Sequence, residues 1–91
     1  NLKKSDIKDV LMMISELTGL NMMISPNLAD TITAKLDDVT VRAALDAILK
    51  PIGYSYFVQE NIIIIKKGKK LRIASINSAI EMLNGNISLG K

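Results

Sequence analysis

"ENIIIIKKGKK", residues 60–70, sets four isoleucines in a row directly against a cluster of lysines. An apolar run beside cations fits a membrane anchor, a nucleic-acid tail, or a buried strand running into a linker. The run is far too short for a bilayer, which needs about 20 apolar residues. The lysines have neither the interleaved aromatics nor the GxxG loop of a KH-type nucleic-acid module. Just upstream lies "YSYFV", residues 54–58, separated from "NIIIIK" by only Gln59 and Glu60. Two strand-like runs across so short a turn predict a β-hairpin. The isoleucines then form its second strand, apolar on both faces because neighbouring elements cover both. "KKGKK", with no apolar periodicity, reads as a linker.

Further upstream the pattern becomes helical. Asp6 is a good N-cap, and Asp9 lies in the first turn, where the helix dipole favours an acid. Ile7, Val10, Leu11, Ile14 and Leu17 follow helical spacing, and Gly19 supplies the stop. "LNMMIS", residues 20–25, reads as a strand ended by Pro26. "TITAKL", residues 31–36, alternates Ile32, Ala34 and Leu36 against Thr31, Thr33 and Lys35, as a half-buried strand does. Thr40 caps a second helix with Val41, Ala44, Leu45, Ile48 and Leu49 on its apolar face, closed by Pro51 and Gly53. "NLKK" before the first helix is the tail of an opening strand.

The two helices repeat one another at an offset of 34 residues: Ile7 falls on Val41, Leu11 on Leu45, Ile14 on Ile48, Gly19 on Gly53 and Ile24 on Val58. Two copies are too few for a solenoid. They predict one α+β domain over residues 1–67: two helices packed on short mixed sheets, a helix–strand unit used twice, and a C-terminal hairpin. Residues 68–91 are expected to hold the basic linker and a short helix with Ser75 as cap, Ile76, Ala79, Ile80 and Leu83 on one face, and Gly85 as stop.

Composition narrows the chemistry. The 91 residues include no cysteine, histidine or tryptophan. Zinc, iron–sulfur and haem sites lack their usual ligands, and Cys–His or Ser–His nucleophilic catalysis is excluded. The net charge of +3 is concentrated in one place. Without Lys66, Lys67, Lys69, Lys70 and Arg72, seven cations face nine acids, giving −2. A mildly acidic body argues against a basic groove for nucleic acid. The start, "NLKKSDIKDV", has no apolar segment of signal-peptide type. Asp37 and Asp38 form an acidic pair, but with no base, nucleophile or phosphate loop beside them they read as solvated residues of the loop entering the second helix. Met12, Met13 and Met22 read as core packing, and Met23 faces the other side of its strand.

In order and spacing, "DIKDVL", "LTGLN", "TITAKL", "DVTVRAALDAIL", "GYSYF" and "ENIIIIK" together resemble the secretin and TonB N-terminus domain, over roughly the first 67 positions. The resemblance implies a periplasmic module of an outer-membrane protein, with two helices between small sheets, no cofactor and no enzymatic activity. "LTGLNMMISPNLADTITAKL" is more similar to the secretin branch, found in type II secretion, type IV pili and related systems. "KKLRIASINSAIEMLN" weakly resembles the opening of the next ring-building module. The implied partners are an inner-membrane secretion or pilus-assembly protein and neighbouring secretin subunits in the full-length ring, with no nucleic acid and no direct membrane insertion. The alternative is the signalling domain of a TonB-dependent receptor; the second alternative, of another class, is a KH-like nucleic-acid module. In either branch of the family, function would lie on surface. Exposed strand edges offer backbone groups to a partner strand. The expected partner-binding edges are Leu2, Lys3 and Lys4 on one strand and Thr31, Thr33 and Lys35 on the other.

Overall fold

The computed structural model, which describes residues 4–33, 35–68 and 83–89, opens with strand β1 (Ser5–Asp6) leading into helix α1 (Ile7–Thr18). Asp6 has extended backbone and caps α1, its carboxylate accepting from the Lys8 N–H at 2.9 Å. This satisfies one of the N–H groups that a helix start leaves without a partner. At the other end Gly19 adopts φ 73°, the left-handed conformation that glycine reaches at no steric cost. Its N–H returns to the Ser15 carbonyl at 2.9 Å. The chain then turns directly into strand β2 (Asn21–Ile24).

The same device recurs in the second half. Strand β4 (Leu36–Thr40) ends on Thr40, whose hydroxyl caps helix α2 (Val41–Leu49) by accepting from the Ala43 N–H at 3.0 Å. A single 3₁₀ turn, Lys50–Ile52, carries Pro51 to Gly53 at φ 77°. Strand β5 (Tyr54–Gln59) follows, then β6 (Ile62–Lys67) across the two-residue turn Glu60–Asn61. The repeat therefore extends to the caps: Asp6 to Thr40 and Gly19 to Gly53 are each 34 positions apart. With the short strand β3 (Thr31–Ile32) and β7 (Asn86–Leu89), the protein has three small sheets. β1 pairs antiparallel with β3, β4 pairs antiparallel with β7, and β6 lies between β2 (parallel) and β5 (antiparallel). Two helices with small mixed and antiparallel sheets make this an α+β domain.

One core joins the elements. Ile7, Leu11 and Ile14 from α1 meet Val41, Leu45 and Leu49 from α2, Tyr56 and Val58 from β5, and Ile63 and Ile65 from β6. Burying each such side chain contributes about 1.5–3 kcal/mol relative to leaving it in water.

Four local expectations need correction. Leu17, expected on the buried stripe of α1, is 57% exposed. After the Gly19 turn it is Leu20 that enters the core, and Ser15 Oγ donates to the Leu20 carbonyl at 2.6 Å to hold that turn. Met12 and Met13, expected to pack inside, are exposed, because α1 needs only Ile7, Val10, Leu11 and Ile14 to fill its side of a small core. The expected single strand over residues 31–36 is divided: β3 stops at Ile32 and β4 starts at Leu36. β3 has a partner only where β1 lies beside it, and in this antiparallel pairing Ile32 already faces Ser5, the first residue of β1. Finally, the isoleucine run is covered on one face only among the described residues. Ile63 and Ile65 belong to the core, whereas Ile62 and Ile64 are half-buried outside it.

The end of the chain returns to the body. Leu83 is 1% exposed and Leu89 is buried, both within the same core. The expected short helix falls on residues outside the described ones except for Leu83, which lies in a turn. Strand β7, for which the sequence reading had no element, runs beside β4.

Candidate docking surface

The β1–β3 ribbon carries the edges expected to bind a partner. Its register pairs Ser5 with Ile32 and Asp6 with Thr31, and the Ile7 N–H donates to the Asp30 carbonyl at 3.0 Å. Antiparallel ladders alternate between pairs that exchange hydrogen bonds and pairs that do not. The Asp6–Thr31 pair is therefore of the second kind, and the Thr31 N–H points away from β1. That N–H is already taken by Asp30 Oδ1 at 2.8 Å. Thr33, two residues on, lies just past the end of β3. Thr31 and Thr33 are exposed and border a shallow hollow of about 240 Å³, floored by Ile7, Ile48 and Ile52. Lys35 is exposed but lies outside either strand, and Lys4 is exposed just ahead of β1. Leu2 and Lys3 lie outside the described residues. The structure thus brings Thr31 and Thr33 to one edge and leaves Lys35 beyond it.

The acidic pair has a different role from the solvated loop expected for it. Asp37 and Asp38 belong to β4, at an irregularity in its register with β7. Asp38 adopts φ 53°, a strained conformation for a side chain larger than glycine. It is held there from both directions: its N–H donates to Ser88 Oγ at 2.9 Å and its carboxylate accepts from Asn86 Nδ2 at 2.8 Å. The Ser88 hydroxyl in turn donates to Asp37 Oδ1 at 3.0 Å. Beside this clasp the tail completes the start of α2, where the Val41 N–H bonds to the Gly85 carbonyl and the Arg42 N–H to the Leu83 carbonyl, each at 3.0 Å. Both carboxylates are engaged in joining β4 to β7.

A second hollow, about 410 Å³, lies between the end of α2 and the free edge of β5, with Asp46, Leu49, Tyr54 and Tyr56 on its walls. The Tyr56 phenol is pushed above its ordinary 10.0, chiefly by burial and then by the Asp46 carboxylate; the charge and hydrogen bond of Arg42 pull the other way. A phenol so placed is a poor base near neutrality. The shift has a consequence for stability. Below the unfolded pKa of about 10 the phenol is neutral in both states and stability does not depend on it. As pH rises past that value the unfolded chain ionises first, so stability falls until the folded phenol titrates too. Urea unfolding of the wild type and Tyr56→Phe across that range should show a steeper alkaline loss for the wild type. Parallel curves would remove Tyr56 as the cause.

Among the described residues, no group of three or more His, Cys, Asp or Glu could hold a metal ion, and no helix is long and apolar enough to cross a membrane. No known family model matches this sequence, and no curated protein is significantly similar to it.

Proposed function

We propose that this chain is a docking domain of the secretin and TonB N-terminal type. In this reading it is the periplasmic N-terminal module of an outer-membrane secretin subunit, holding an inner-membrane secretion or pilus-assembly component, or substrate, at the channel entrance. It does no chemistry of its own. What supports this is that the segments carrying the family resemblance are also the ones that build the repeated unit. "DIKDVL" spans the cap and first turns of α1, "DVTVRAALDAIL" runs from β4 through α2, and "GYSYF" and "ENIIIIK" make the β5–β6 hairpin. The observation that carries the docking role is the short β1–β3 ribbon, with Thr31 and Thr33 exposed on it and just past its end. A partner strand would add there by backbone hydrogen bonds.

The test is a titration of the chain against the periplasmic domains of inner-membrane secretion and pilus components from the same genome. Saturable binding is expected, lost in Thr33→Pro, which removes one backbone donor in an exposed position and leaves the core untouched. Unchanged affinity in a folded Thr33→Pro variant would place the edge elsewhere. Sequencing the gene past Lys91 separates the family branches: further ring modules and a secretin barrel fit this reading, a plug domain overturns it.

A further inference from the structure

The β2–β6–β5 sheet has two apolar faces, and among the described residues only one of them is used in the core. The pairing places Met22, Ile63 and Val58 in one row across the three strands, and Ile24, Ile65 and Tyr56 in the next; these rows pack against the helices. Alternation sends the intervening residues to the other face. There Met23, Ile64 and Phe57 form a row straight across all three strands, flanked by Asn21, Ile62 and Gln59 on one side and by Lys66 opposite Ser55 on the other. Met23 is 58% exposed, the most exposed of the large apolar side chains.

This outer face is concave rather than flat. A depression of about 420 Å³ is lined by Met23, Pro26, Phe57, Ile64, Lys66 and Lys67, with no acidic residue on its walls among the described residues. Both lysines are exposed and lie at the end of β6. Three strands spaced about 4.8 Å apart present a face roughly 10 Å wide, which is the width of one helix.

The geometry points to this outer sheet face as a docking site for an acidic amphipathic helix of a partner protein. The apolar stripe of that helix would lie along the Met23–Ile64–Phe57 row, and its carboxylates would meet Lys66, the lysine on that face. Charge selects the occupant. A second copy of this chain seated face to face would bring no carboxylate to Lys66 from the described residues of the same depression. The site is separate from the β1–β3 edge and does not depend on the function proposed for that edge.

The experiment uses the 91-residue chain, labelled for amide NMR, and three probes. One is a helical peptide with leucine on one face and glutamate on the other, the second has lysine for every glutamate, and the third is vesicles rich in phosphatidylglycerol. The glutamate peptide should bind and shift amides of β2, β5 and β6 around Met23, Phe57 and Ile64. The variant Lys66→Glu should weaken it about fivefold and favour the lysine peptide instead, whereas Lys67→Glu, out of phase with the row, should change it less, as expected when opposite charges set partner choice. Met23→Ser should weaken both peptides. The inference is overturned if the glutamate peptide does not bind, if both peptides bind the wild type equally, or if the shifts map to β1–β3 or α1. Capture by vesicles without peptide binding, or concentration-dependent dimerisation through the same amides, would overturn it as well.

Discussion

Alanine at Ile63 should lower the unfolding free energy by about 2–5 kcal/mol, while alanine at the next residue, Ile64, should cost no more than about 1 kcal/mol. The two side chains are chemically identical neighbours on the central strand of one sheet. Ile63 is fully buried among α1, α2 and the flanking strands, so its truncation removes transfer free energy and leaves a cavity. Ile64 stands on the outer face with Met23 and Phe57, outside the core. A small domain has only about 5–15 kcal/mol of stability in total. Ile63→Ala should therefore melt many degrees lower or be largely unfolded, which urea or thermal denaturation followed by circular dichroism would register. Equal losses at the two positions would mean that both faces are covered, and the outer face would then not be a free surface.

Leu83→Ala should cost about 2–5 kcal/mol as well, as much as a substitution at the centre of α2 such as Leu45→Ala. Both side chains are fully buried in one core, although the turn holding Leu83 is reached only after the hairpin and the lysine-rich stretch. Thermal unfolding of the two variants, read in parallel with the wild type, would make the comparison. Were the tail a separate unit, Leu83→Ala would leave the melting of the body unchanged while Leu45→Ala lowered it.

What could be read from the sequence is what neighbouring residues determine among themselves. The caps Asp6 and Thr40, the left-handed stops Gly19 and Gly53, and the buried positions at helical spacing all lie where local chemistry put them. The β5–β6 hairpin follows from two strand-like runs with two residues between them. What escaped depends on residues far apart. Asp37 and Asp38 have the composition of a loop, and only the arrival of Asn86 and Ser88 makes them part of a strand. A signal for β7 was present: Ile87 and Leu89 alternate with Asn86 and Ser88 directly after the turn dipeptide Asn84–Gly85. The exposure of Thr31 and Thr33 was legible because alternation marks an exposed side. The break of the strand before Lys35 was not, since the point where a strand loses its partner is a tertiary fact. The outer sheet face was hidden for a related reason. A continuous apolar run announces a buried strand, but does not say how many of its faces are covered.

The attachment of the tail to α2 also has a meaning in time. The β5–β6 hairpin needs only a two-residue loop and can close within microseconds. The bond from Asp38 to Ser88 spans 50 residues, and so long a loop must give up its chain entropy before any contact rewards it. Until that happens, the Val41 and Arg42 amides have no backbone acceptor and the side of β4 that receives β7 stands open. On loop length alone, the second helix is expected to be begun early by Thr40 and finished late by the tail, whose contacts close one edge of β4.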